Sequence, residues 1–416
     1  AIATDEGYII RTIPPLDGSE TDKAVVRVHQ VPIPKGGTTH IQILHSTSLL
    51  AIVRKSSPRI LALVHAKTAR VVKELPFTSA VRRVEMNKMN LVILTADGAL
   101  HIFMYNILDA NATRQNEGIM FLETVPILHS SESARIFTAQ NASTTGAFFD
   151  LCSHVFPVDT GAHADGITEV IESCLVTKSA EGVGIVSVYS ACRNPEPNGK
   201  STLKLVKNFH AHDHGIARIA IGGAANQSLQ QKFIATASTQ GTLIRVFSLP
   251  QCEKLYDLQR GSSPCTIFSI SFNYEATCIA VSSSKRTIHL FDLKKREPYC
   301  GNEEETDHPQ LPISTTTSAR WGSKISQVLG FHSDDVATEK PLRSFAKIRK
   351  SKLQKAGEPV VPTTISLVKT TEEGEEQLIV CLGSAKIFHF VVRSDGKSRP
   401  VQVNDILSFD DRKDNS

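Results

Sequence analysis

Residues 258–261 read "LQRG", and Arg260 with Gly261 is the pairing in this chain best suited to hold an anion. A guanidinium makes charge-assisted, geometrically defined hydrogen bonds to phosphate oxygens. Serine, threonine and histidine supply shorter-range donors, and a turn glycine permits a positive backbone dihedral and close approach of a ligand. Such donors stand on both sides of the turn, in "AHDHGI" at 211–216, "ASTQGTLIRVF" at 237–247 and "SSSKRTIHLF" at 282–291. This is chemistry for holding a multiply charged ligand, not for transforming one. The chain has no nucleophile elbow, Walker loop, HExxH or paired-acid signature, so no catalysis is expected. "HAHDH" at 210–214 puts three histidines on one strand face, but no cysteine or carboxylate cluster follows, and neither a metal nor another cofactor is expected.

The elements that position these residues read as strands. "SLLAIV", "LVILTADGALHIFMYN", "ESCLVTKSAEGVGIVSVYS", "KFIATASTQGTLIRVFSL", "TCIAVSSSKRTIHLFDL" and "QLIVCLGSAKIFHFVV" are β-rich runs, most of them broken by a short polar or glycine turn, a hairpin signal. The stretches at 233–249 and 277–293 share one template and form an internal repeat. Helical periodicity is scarce. Each repeat is too small to bury its own apolar faces, whereas radial stacking buries them between neighbours and leaves only short sheet edges. The expected fold is an all-β propeller. "LQRG" is expected in an exposed hairpin, and "KSSPRILALVHAKTARVV" at 55–72 as a loop.

Composition is consistent with this and narrows the partners. With 416 residues the chain is too long for one ordinary core. Its 46 Lys and Arg against 42 Asp and Glu give +4, too balanced for a general nucleic-acid binder. The eight cysteines lack a C-x-x-C pair and read as reduced thiols of a cytosolic protein. No signal peptide opens the chain and no apolar run reaches the ~18 residues of a membrane span, so membrane contact is expected to be peripheral.

The run from "AHDHGIARIAI" to "TIHLFDL" resembles the central blades of the PROPPIN family, WD-repeat-like propellers that bind polyphosphoinositides in autophagy. The specific signal lies at 210–293, with weaker likeness in "IQILHSTSLLAIV", "VVKELPFTSAVRRVEMNKMNLVIL" and "RSFAKIR". The resemblance implies a seven-bladed propeller over 1–410, with long inter-strand loops and a polar tail at 411–416. Residue 1 would already lie within the first blade, the natural protein beginning earlier. In the family the tetrapeptide carries two arginines that point into two lipid pockets on adjacent blades. Carried over, His212, Ser238, Thr242 and Arg245 line the first pocket, and Arg260, Ser283, Thr287 and His289 the second. Gln259 stands where the family has its first arginine, and losing a contact to a charged group is worth about 1.5–3 kcal/mol, so the second pocket should dominate, with Arg245 compensating in part. Arg286 replaces a usual glycine and either adds a phosphate contact or distorts the turn.

A long segment at 294–342 is rich in Ser and Thr and low in strand pattern. Within it Trp321, Ile325, Val328 and Leu329 fall on one face of a short helix, with Ser318 as N-cap and Gly330 as stop. The family dips the equivalent loop into the bilayer, and basic "KKR" at 294–296 and "RSFAKIRKSKLQK" at 343–355 suit anionic headgroups. The implied role is a monomeric phosphoinositide effector. It reads phosphatidylinositol 3-phosphate or 3,5-bisphosphate on autophagic, endosomal or vacuolar membranes and recruits lipid-transfer or conjugation proteins of autophagy through blades two and three. The alternative is a lipid-independent propeller scaffold.

Overall fold

The computed structural model describes residues 2–3, 7–11, 28–32, 37–44, 48–87, 89–105, 119–128, 149–159, 167–192, 202–223, 232–285, 287–295, 341–349, 361–369, 375–382, 386–393 and 398–405. These residues form seven sheets in chain order, one of three strands, five of four and one of five. They are the blades of an all-β propeller. The pairing inside each blade is antiparallel between sequence neighbours, because short turns can join only antiparallel strands.

The core lies between the blades rather than within any one of them. One apolar cluster joins Leu258, Ile244 and Val246 of blade five to Ile267, Ile279, Val281 and Phe291 of blade six. Other clusters join blades four and five, and blades six and seven. A strand buried on both faces needs a nearly continuous apolar run, which is what "CIAVSS" at Cys278–Ser283 and "NLVILT" at Asn90–Thr95 provide. Burying one Leu or Val side chain contributes about 1.5–3 kcal/mol, so stacking of neighbours supplies what a lone sheet lacks. The innermost strands of blades two, three, five and six share a bulge at their start, at Thr38/His40, Val81/Arg83, Ile216/Arg218 and Ile267/Ser269. The repeat is therefore structural as well as sequential.

Blades five and six carry the residues of interest. Blade five comprises Ile216–Gly222, Phe233–Ser238, Leu243–Ser248 and Lys254–Gln259, and blade six comprises Ile267–Phe272, Cys278–Ser283, Thr287–Asp292 and Ala346–Arg349. Blade five gains a fifth strand from far along the chain, Leu342–Arg343, which pairs in parallel with its outer strand.

Three local expectations are corrected. "LQRG" is not a hairpin: Leu258 and Gln259 end the outer strand of blade five, and residues 260–266 cross to the inner strand of blade six. The stretch at 55–72 is not a loop, since Ile60–His65 and Arg70–Pro76 are paired strands of blade two and Leu61, Ala62, Leu63 and Val64 are buried. The apolar β-rich run outweighs the Ser-Pro signal before it. The histidines at 210–214 do not share a strand face, because the strand Thr202–His210 ends at the first of them.

Candidate functional site

The first cleft lies where the connection from blade four meets blade five. His212 is buried in that connection, and its Nε2 lies 2.9 Å from the Thr236 hydroxyl. Thr236 pairs with Arg245, Arg245 with Asp257, and Leu243 with Gln259. Paired residues share a sheet face, as do alternate residues of one strand, so Thr236, Ser238, Arg245, Asp257 and Gln259 all face blade four. Ser238 is buried and Thr242 half-buried. Arg245 is already engaged: Nη1 donates to the Ala211 carbonyl at 2.6 Å, and Nε lies 3.3 Å from the Asp257 carboxylate. Burial, and then the Arg245 charge, lowers the His212 pKa to about 4, so this imidazole is neutral at pH 7.

The second cleft lies between blades five and six. Leu258 turns toward the five–six core, Gln259 away from it, and Arg260 begins the crossing connection. His289 pairs with Val281, a member of that core, so the face bearing Ser283, Thr287 and His289 looks toward blade five. The His289 pKa is lowered to about 4, by burial first and then by the Lys347 and Arg260 charges. Arg260 opens the connection that crosses from blade five to blade six, which brings its charge to this cleft. Ser283 is fully buried, and among the described residues its hydroxyl has no hydrogen-bond partner. An unsatisfied buried hydroxyl costs about 1–3 kcal/mol, which a bound oxyanion would relieve.

Arg260 is not turned outward as the sequence suggests. It is 5% exposed, and its guanidinium is drawn inward by two backbone carbonyls, Nε donating to Gly241 at 2.8 Å and Nη2 to Ser263. Among the described residues no carboxylate pairs with it. Among those residues its charge is therefore oriented but not neutralised, and Nη1 makes neither of these two bonds. The conformational argument for glycine also moves: Gly261 lacks a positive φ, and an added Cβ there would meet nothing. Gly241 is the constrained one, at φ +61° with an added Cβ 2.1 Å from the Cys265 carbonyl oxygen.

Cross-strand register adds residues that the sequence did not single out individually. Lys347 pairs with His289 and Arg349 with Thr287, so both exposed cations share the face of the second cleft. Ser344 Oγ lies 3.2 Å from His289 Nδ1. The signal was the basic "RSFAKIR", whose partner strand only the fold reveals. Arg286, Trp321, Ile325, Val328 and Leu329 lie outside the described residues.

A model of the PROPPIN family matches residues 197–309, which include His212 to His289 but not Ser344, Lys347 and Arg349 of the second cleft. Autophagy-related protein 18 of Yarrowia lipolytica is 28% identical over 401 residues, covering 91% of this chain and 86% of that protein. The protein of the same name in Emericella nidulans is 30% identical over 296 residues, covering 71% of this chain and 58% of its own length. The chain belongs to the PROPPIN family. Its fold matches that of Kluyveromyces lactis Hsv2 with a TM-score of 0.55 at 14% identity, covering 92% of this chain and 90% of that one. A solved complex of KlAtg21 with the coiled-coil of AgAtg16 matches with a TM-score of 0.50 at 17% identity over 91% of this chain and 88% of that one. PROPPINs are non-catalytic, phosphoinositide-binding and autophagy-associated, and that is the role of this chain at the level of the family. Among the described residues of this PROPPIN, no helix is long and apolar enough to cross a membrane and no cluster of His, Cys, Asp and Glu could hold a metal ion.

Proposed function

We propose that this PROPPIN is an effector of phosphatidylinositol 3-phosphate, phosphatidylinositol 3,5-bisphosphate or both, acting as one seven-bladed propeller over 1–410. The observation that carries the reading is the duplication of one donor set across two successive clefts. His212, Ser238, Thr242, Arg245 and Gln259 line the first, and Arg260, Ser283, Thr287 and His289 the second. The second is the stronger, because its Arg260 and Lys347 charges act on His289 without a paired carboxylate among the described residues. In the first, Asp257 offsets Arg245. Two modest sites on one rim act by effective concentration, and Trp321, Ile325, Val328 and Leu329 insert into the bilayer as a third attachment.

The protein would sit peripherally on autophagic, endosomal or vacuolar membranes and recruit autophagy proteins there. Exposed apolar pairs on the outer strands of blades two, three and four support a protein-binding side: Val71 with Val72, Met120 with Phe121, and Leu205 with Val206. KlAtg21 forms its complex with a coiled-coil of AgAtg16, and a partner of the same class is proposed for this chain.

Flotation with vesicles carrying each phosphoinositide in turn tests the reading. Binding should be confined to the 3-phosphorylated lipids. Arg260→Ala should lose more than Gln259→Ala, and Trp321→Ala should weaken retention without changing lipid preference. Equal losses from the first two changes would overturn the dominance of the second cleft, and no retention of the wild-type chain would overturn the lipid reading in favour of a lipid-independent scaffold.

A further inference from the structure

The first cleft has a charge deficit that its own hairpin does not repair. His212 is neutral at pH 7, Arg245 faces the Asp257 carboxylate at 3.3 Å, and Gln259 carries no charge. Asp257 is shared further with Lys254, whose Nζ lies 3.1 Å from its other oxygen. A phosphorylated headgroup entering here would find hydroxyls and an imidazole but, among the described residues of this hairpin and the connection before it, no uncommitted cation.

The fifth strand of blade five changes this. Leu342–Arg343 runs parallel to the outer strand with Leu258 opposite Leu342 and Gln259 opposite Arg343. Leu342 packs on the same five–six core as Leu258, which fixes the face of the pair. Alternation then puts Arg343 on the opposite face, with Gln259, Asp257 and Arg245, directly across from the glutamine. Arg343 is exposed, and among the described residues its side chain makes no hydrogen bond or ion pair. Blade six also sets cations across from its donors, there from its own antiparallel fourth strand, with Lys347 beside His289 and Arg349 beside Thr287.

We infer that Arg343, delivered by the added strand, is the phosphate-binding cation of the first cleft and stands in for a charge that position 259 lacks. This rests on the phosphoinositide reading above and assigns a residue to it. The ligand class is a phosphorylated inositol, reached by a guanidinium arriving from across the strand pair. A side chain that serves only to keep a sheet edge soluble would leave lipid binding unchanged when replaced.

The test uses the full chain, phosphatidylcholine vesicles carrying phosphatidylinositol 3-phosphate, and in parallel soluble inositol 1,3-bisphosphate followed by calorimetry. Arg343→Gln should weaken vesicle binding roughly tenfold, the size expected for one charge-assisted contact. Gln259→Arg with Arg343→Gln should recover it, because the charge returns to the same face from the neighbouring strand. Arg70→Gln, an exposed cation on blade two, should bind as wild type and so removes general surface charge as the cause. A parallel loss toward the soluble headgroup assigns the contact to the headgroup, whereas a loss toward vesicles alone overturns it in favour of bilayer attraction. Arg343→Gln binding like wild type, or the double variant staying as weak as the single one, also overturns the inference while leaving the lipid reading intact. Failure of every protein, wild type included, to bind would remove both. Thermal melting of each variant separates lost contact from lost fold.

Discussion

Arg260 Nε donates to the Gly241 carbonyl at 2.8 Å, tying the connection that leaves blade five to a turn inside that blade. The backbone reinforces the tie, since the Arg260 and Gly261 amides both donate to the Thr242 carbonyl, at 3.0 and 3.3 Å. The guanidinium is thus held in place by a turn whose geometry depends on a single residue. Gly241→Ala would force a side chain into the left-handed region against the Cys265 carbonyl. It should cost about 1–3 kcal/mol in chemical denaturation and reduce vesicle binding along with Arg260→Ala. Gly261→Ala, with nothing near its added Cβ, should cost far less. Equal losses of stability would mean that the turn does not carry the constraint.

The Asp257 carboxylate restrains Arg245, with their side chains 15% and 23% exposed. Partly solvated ion pairs contribute at most about 1 kcal/mol. Asp257→Asn should therefore lower stability only slightly. It should strengthen retention on vesicles of phosphatidylinositol 3-phosphate severalfold, because a cation of the first cleft is released toward the ligand. Weaker retention would show that Asp257 positions Arg245 rather than masking it.

His212 and His289 have folded-state pKa values near 4, against 6.5 for an unperturbed imidazole. With the folded values depressed, the unfolded chain binds protons first as pH falls. The stabilising contribution is then complete above about pH 6.5 and is lost as pH falls through 4. A chain carrying His212→Gln and His289→Gln should show a smaller drop in melting midpoint between pH 7 and pH 4.5 than wild type. Bound phosphate favours the charged imidazole and should blunt the wild-type drop as well. A drop of equal size in the double variant would assign the acid sensitivity to other groups.

How much of this was legible in the sequence depended on the range of the interaction. The blades were legible because "FIATAS" and "LIRVF" are apolar and β-rich over lengths that only buried strands reach, and the repeat announced stacking. The donor types were legible because Ser238, Thr242, Ser283, Thr287 and His289 recur on one template. Register was not. That Arg245 meets Asp257, or that Arg343 lies opposite Gln259, follows from strand alignments that no local pattern encodes, and a slip of one residue would reverse every face. The important glycine was misplaced for a related reason. Gly241 sits in the tight turn that demands φ +61°, whereas Gly261 lies in an open crossing between blades.

Asn87 and Asn273 play one part at equivalent places, each following the inner strand of its blade and closing the next turn. Asn87 Oδ1 accepts from the Met89 and Asn90 amides at 2.9 and 2.7 Å, and Asn273 Oδ1 from the Thr277 and Cys278 amides at 2.8 and 2.9 Å. Their remaining amide groups differ. Asn273 Nδ2 donates to Thr277 within its own turn, whereas Asn87 Nδ2 donates at 2.8 Å to Ser173, on the second strand of blade four. Removing a buried acceptor strands its donors at about 1–3 kcal/mol each, less what solvent recovers. Asn87→Ala should cost about 3 kcal/mol and Asn273→Ala less, since the Asn87 amide bond to Ser173 joins two blades whereas the Asn273 amide bond to Thr277 stays within one turn. Chemical denaturation of the single variants and of Ser173→Ala checks this, and Asn273→Ala proving the costlier would count against the inter-blade bond.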